Sequence, residues 1–141
     1  MTLEDNVKDI QSTNINIRYI RHYKKGGVVF QEGSRGKEMY VINSGRIKIV
    51  KKDSKDTDQE LSILESGDIF GEMALIDQGP RSATAIAVDD DTSLIELDRT
   101  RFMYLIRHQP EFALIVMGIL CERVREKNAQ YASLLELTDL F

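Results

Sequence analysis

The sequence has one cysteine, Cys121, and two histidines in 141 residues. A single thiol closes no disulfide within the chain, and a reducing, cytoplasmic setting fits it. His22 and His108 have neither a nearby Cys nor a spaced second His, so a metal site is not expected. Neither sits in a Ser or Cys motif that would mark a nucleophile, and no catalytic residue is expected. The longest apolar run, Phe112 to Met117, is far too short to span a bilayer. No charged-then-apolar leader opens the chain, so no secretory signal is expected. A basic surplus is missing too. The net charge is −4, which argues against non-specific nucleic-acid binding but not against a small anion held by one well-placed Arg.

What is present is an ordinary globular composition, 42% hydrophobic and 30% charged. The length suits one domain with one core, and the whole chain 1–141 reads as such a domain. Thr2 to Ser12 reads as a short helix. Seven short runs rich in β-branched residues follow: Ile17 to Tyr23, Val28 to Gln31, Met39 to Ile42, Ile47 to Lys51, Glu60 to Leu64, Ala83 to Val88 and Ser93 to Leu97. Glycine and polar clusters separate them, the pattern of a sandwich, barrel or jelly roll over about 16–98. Asp89 to Asp91 lacks the spacing of a calcium loop and reads as a solvated turn.

After Leu97 the period becomes helical. Asp98 and Thr100 are candidate caps, and Pro110 suits the first turn of a second helix. From there only Gly118 interrupts, giving a helix of roughly 45 Å, with helices spanning about 99–140. Met117, Leu120, Val124, Lys127, Tyr131, Leu134, Thr138 and Phe141 recur at three and four residues, a coiled-coil seam with two polar breaks. That spacing favours a parallel homodimer; the alternative is that the first half packs on the β-structure and the rest frays. Cys121 is expected in the core or at an interface. Met73, Met103 and Met117 are core candidates.

The segment Gly67 to Ala87, G-D-I-F-G-E-M-A-L-I-D-Q-G-P-R-S-A-T-A-I-A, carries the chemistry. Gly71 precedes a short helix-forming run, Glu72 to Ile76, whose N-terminus offers unpaired N–H groups to an anion. Glycine lets a ligand approach the backbone closely. Gly79 and Pro80 turn the chain and Arg81 opens the next strand, where a guanidinium can meet phosphate bidentately. Glu72 would repel a bare phosphate but can accept hydrogen bonds from sugar hydroxyls. An acid and an Arg in this arrangement suit a ribose phosphate. Taken alone, Arg81 also reads as a surface-paired arginine, Glu72 as a helix-opening acid and Ser82 as a strand hydroxyl.

F-G-E-M-A-L followed by P-R-S-A-T-A resembles the phosphate-binding cassette of the cyclic-nucleotide-binding domain family. This family includes regulatory subunits of cAMP-dependent kinase, cyclic-nucleotide-gated channels and bacterial catabolite-activator regulators. Upstream E-G-S-R-G-K-E-M-Y-V-I-N-S-G and downstream F-M-Y-L-I-R-H-Q-P-E-F-A extend the resemblance over about Ile17 to Arg125. It implies an eight-stranded β-roll followed by a long C-terminal helix, with movement from Thr100 onward when ligand binds. It implies that Arg81 holds the exocyclic phosphate oxygens and Glu72 the ribose 2′-OH. Backbone N–H groups of Glu72, Met73, Ala74, Leu75 and Ala83 would cradle the phosphate, with Gly71 permitting the approach and Ser82 adding a hydroxyl. Bacterial cAMP regulators commonly carry Ser after this Arg, so cAMP is favoured over cGMP. Lys127 and Asn128 fall where the catabolite-activator regulators carry a hydroxyl pair facing the adenine. Asn suits an adenine edge, whereas Lys suits a carbonyl such as guanine O6, so the departure leaves the base open. No helix-turn-helix pattern appears, so the chain alone is not expected to read DNA; the alternative is the sensing half of a transcription regulator. A cupin-type enzyme would need a ligand cluster that two isolated histidines do not supply.

Overall fold

The computed structural model describes residues 19–139, with side chains described to residue 137. The expected helix over Thr2 to Ser12 lies outside these residues. Compact packing divides the chain between Tyr104 and Leu105.

Among the described residues, the first unit is built on eight strands and one short helix, followed by the start of a second helix. The strands are β1 (Ile20–Tyr23), β2 (Val28–Phe30), β3 (Met39–Ser44), β4 (Ile47–Lys52), β5 (Asp58–Leu64), β6 (Ile69–Phe70), β7 (Thr84–Ala87) and β8 (Thr92–Leu97), with α1 (Glu72–Asp77) between β6 and β7. They form two antiparallel four-stranded sheets, ordered β1-β8-β3-β6 and β2-β7-β4-β5. Tyr40, Ile42, Phe70 and Leu94 of one sheet share a core cluster with Ile47, Ala85 and Ala87 of the other. β7 turns every second residue inward, and its register with β4 sets Ile47 opposite Ala87 and Ile49 opposite Ala85. The two small alanines leave room beside the aromatic cluster of Phe30, Tyr40 and Phe70, whose ring centroids lie 5.2–6.0 Å apart. Each of the seven expected runs overlaps a strand. The eighth strand, β6, is too short at two residues to show a period.

Asp89 to Asp91 is the expected turn, and Arg46 holds it with two hydrogen bonds to Asp89, 2.9 and 3.0 Å. That guanidinium keeps the Asp89 carboxyl below the usual range. α2 (Arg99–His108) crosses the boundary between the units. Of its two candidate caps Asp98 does the work, accepting from the Arg101 N–H at 2.8 Å.

The second unit is dominated by α3 (Glu111–Asp139), which Pro110 immediately precedes. Its seam residues Met117, Val124, Tyr131 and Leu134 are all more than half exposed. Cys121 is exposed as well, so it is not a core residue of the single chain. The three methionines correct another expectation, since Met73, Met103 and Met117 are all exposed. On α1 the inward positions belong to Ala74 and Leu75, which turns Met73 out; α2 buries no residue fully. Among the described residues no helix is long and apolar enough to cross a membrane.

Candidate functional site

The cassette begins where β6 ends. Gly71 adopts φ 75°, ψ 8°, a left-handed conformation that favours glycine, and α1 starts at the next residue with no side-chain cap. The first turn of α1 therefore has backbone N–H groups that no cap side chain satisfies. Glu72, Ala74 and Leu75 are buried and Met73 points outward. The helix closes on Gln78, also left-handed, whose N–H donates to the Ala74 carbonyl.

Arg81 is only 4% exposed. Such burial of a permanent cation requires partners, and the structure brings them from three other segments. Nη1 donates to the Glu38 carbonyl at 2.8 Å and to the Gly71 carbonyl at 3.1 Å. The guanidinium lies 4.1 Å from the Phe30 ring centroid, a cation–π contact. Nη2 meets the Glu38 carboxylate weakly, at 3.5 Å. Among the described residues, Nε is buried with no hydrogen-bond partner. The Nη1 side is thus fully engaged, whereas the Nε/Nη2 edge, the one that grips an oxyanion with two parallel bonds, is nearly unused. Gly36 faces that edge. A Cβ there would overlap Nη2 and come within 2.8 Å of Nε.

The backbone around Arg81 is clipped in place. The Gly33 N–H donates to the Arg81 carbonyl at 2.8 Å and the Arg81 N–H donates to the Ser34 carbonyl at 2.9 Å. Ser82 is exposed and Ala83 buried. The hydrogen bond from Arg81 to the Gly71 carbonyl places its guanidinium against the peptide that leads into Glu72. Behind the cation, the Tyr40 hydroxyl donates to Glu96 at 3.3 Å, and Glu96 pairs with Arg21 at 2.9 Å. Burial, followed by the nearby Glu96 charge, raises the Tyr40 phenol well above its usual value.

The structure thus joins Gly71 and Arg81, ten residues apart in sequence, at one guanidinium. Lys127 and Asn128 are exposed residues of α3, in the second unit. Sequence reasoning missed Phe30, Gly36 and Glu38 as partners of Arg81. Gly36 and Glu38 stand inside the glycine-bearing turn that had been singled out, but nothing local shows which side chain that turn will meet.

A family model for the cyclic nucleotide-binding domain matches residues 20–109. The cyclic AMP receptor protein of Thermus thermophilus is 36% identical over 110 residues, covering 78% of this chain and 50% of the relative. Human cGMP-dependent protein kinase 2 is 27% identical over 114 residues, covering 80% of this chain and 15% of the kinase. The crystal structure of Thermus thermophilus catabolite activator protein superposes with a TM-score of 0.77 at 33% identity, over 86% of this chain and 57% of that one. The chain spans about half the length of the bacterial relatives it matches. With a two-sheet roll, a buried Arg81 behind a glycine-framed turn and a family match across both, this chain belongs to the cyclic nucleotide-binding domain family.

Proposed function

We propose that the chain is a non-catalytic sensor that holds cAMP in preference to cGMP on the segment from Gly71 to Ala83. The observation that carries this reading is Nε of Arg81, buried with no hydrogen-bond partner among the described residues, beside an Nη2 that meets the Glu38 carboxylate weakly. An unpartnered buried donor costs about 1–3 kcal/mol, and an oxyanion on that edge removes the cost. In this reading the exocyclic phosphate oxygens take the edge and Glu72 accepts from the ribose 2′-OH. The N–H groups of Glu72, Met73, Ala74, Leu75 and Ala83 complete the cradle, Gly71 permits the approach and Ser82 adds its hydroxyl. The reading assigns the base to Lys127 and Asn128. Ser82 and the cAMP-named bacterial relative favour cAMP; the cGMP-named kinase is the counterweight.

The two units then act as one module. The nucleotide binds one arrangement of the helices from Thr100 onward better than another, which is what coupling requires. Output passes through a homodimer seam on α3. The bacterial relatives, matched over half their length, favour a second reading in which this chain is the sensing half of a transcription regulator.

Calorimetric titration with cAMP and cGMP tests the site. The expected result is binding of both, cAMP more tightly; no heat from either at millimolar concentration ends the reading. Arg81→Gln should weaken binding by about 100-fold, the scale of a lost charge-assisted pair of hydrogen bonds. Circular dichroism confirms that this variant folds. If the folded variant binds as the wild type does, the site lies elsewhere.

A further inference from the structure

Lys51 breaks the pattern of its strand. β4 turns Ile47 and Ile49 inward, against Ala87 and Ala85. Alternation places Lys51 next on that face, and one further step of the register sets it opposite Ala83. The Lys51 side chain is half exposed, and the ammonium donates to the Ser82 carbonyl at 2.8 Å and pairs with Glu32 at 3.4 Å.

The β4–β7 register ends at Val50 and Thr84. Beyond it the Lys51 side chain replaces the ladder. Glu32 is itself fixed: its carboxylate accepts from the Lys52 N–H at 3.1 Å, and its own N–H donates to Thr84 Oγ1 at 2.9 Å. The Lys52 N–H, with the Lys51 hydrogen bond and the charges of both lysines, outweighs desolvation and holds the Glu32 carboxyl below the usual range. Across the strand, Gly33 and Ser34 hold the Arg81 backbone. Residues 81–84 are thus clipped from both sides, and Lys51 is the clip on the Ser82–Ala83 peptide.

We propose that Lys51 is a positioning residue for the nucleotide phosphate: by holding the Ser82 carbonyl, it orients the Ser82–Ala83 peptide beside Arg81. This rests on the reading of the cassette given above. The peptide unit is planar, so fixing the direction of its C=O fixes the direction of the Ala83 N–H. A cation on the carbonyl also polarises the unit and strengthens that N–H as a donor. The Lys51 side chain is half exposed, so solvent limits the effect.

Lys51→Met keeps the alkyl stem and removes the donors. Titrated with cAMP, it is expected to bind about three- to tenfold more weakly than wild type, the scale of one net hydrogen bond. Its melting temperature should match wild type, and Lys51→Arg should restore affinity. The loss should persist in about 1 M NaCl, where the Debye length is about 3 Å. In the ligand-free protein, the amide cross-peak of Ala83 should move on Lys51→Met. A loss that disappears in high salt would mean that Lys51 acts only as a distant charge, which overturns the proposal. An unmoved Ala83 cross-peak overturns it too. If the wild type binds neither nucleotide, the cassette reading fails and takes the phosphate role with it, while the ligand-free cross-peak still decides whether Lys51 orients the peptide.

Discussion

Gly36 and Gly71 both face the Arg81 guanidinium, yet a methyl group added at each should fail differently. At Gly71 the backbone is left-handed, and an added Cβ would lie 2.8 Å from Arg81 Nη1 and 3.3 Å from the Glu38 carbonyl. Gly71→Ala carries about 1–2 kcal/mol of backbone strain in addition to that crowding. It is expected to lower the melting temperature and weaken nucleotide binding together. Gly36 is not in the left-handed region, and the atoms its Cβ would meet are the end of one side chain. Arg81 must shift, which strains its Nη1 hydrogen bonds and displaces the edge that an anion needs. With no left-handed strain to add, Gly36→Ala should therefore lower melting less than Gly71→Ala does and weaken binding about tenfold, roughly 1.4 kcal/mol. Parallel melting and titration curves check the contrast, and equal losses in both variants would show that the edge of Arg81 is not where the phosphate sits.

At the scale of elements, α3 makes the sharpest demand on a partner. Val124, Tyr131 and Leu134 expose 58%, 64% and 61% of their surface at coiled-coil spacing, more apolar area than a lone helix normally presents to water. Val124→Lys with Leu134→Lys places like charges along that seam and is expected to turn a dimer into a monomer in sedimentation equilibrium. A wild type that is already monomeric would dismiss the seam. The strands were legible in the sequence because each rests on a period of two that a few neighbouring residues display; the 3.5-residue period likewise marked apolar positions that α3 exposes, and the sedimentation experiment decides whether they form a seam. β6 was not legible, since two residues carry no period. The methionines misled because their hydrophobicity was read without a facing surface: α1 is six residues long and spends its inward positions on Ala74 and Leu75. The cassette was legible for a different reason, since Gly71, Glu72 and Arg81 lie close in sequence. The partners of Arg81 were not. Glu38 lies 43 residues before it, and Lys51 lies 31 residues before the Ser82 carbonyl it holds. Only the long-range pairing of β4 with β7 brings Lys51 to Ser82, and only folding of the roll brings Glu38 to Arg81.

For the whole molecule the question is whether the nucleotide reaches the helices at all. A ligand that binds only the folded state stabilises it by RT ln(1 + [L]/Kd), about 2.7 kcal/mol at one hundred times Kd. That stabilisation belongs first to the roll, because Arg81 and α1 lie in the first unit. The two units also offer different signals. In a chain without tryptophan, four of the five tyrosines, Tyr19, Tyr23, Tyr40 and Tyr104, lie in the first unit, so in a Tyr131→Phe background tyrosine reports on that unit, whereas far-ultraviolet helical ellipticity is dominated by the 29 residues of α3. Saturating cAMP is expected to raise the tyrosine-detected midpoint, and Arg81→Gln should abolish that rise. If the chain signals through its helices, the ellipticity midpoint must rise with it, because a ligand can couple to an element only by binding one of its states better. A roll that gains stability while the helical transition stays put would leave a nucleotide-binding domain with no route from its site to α3.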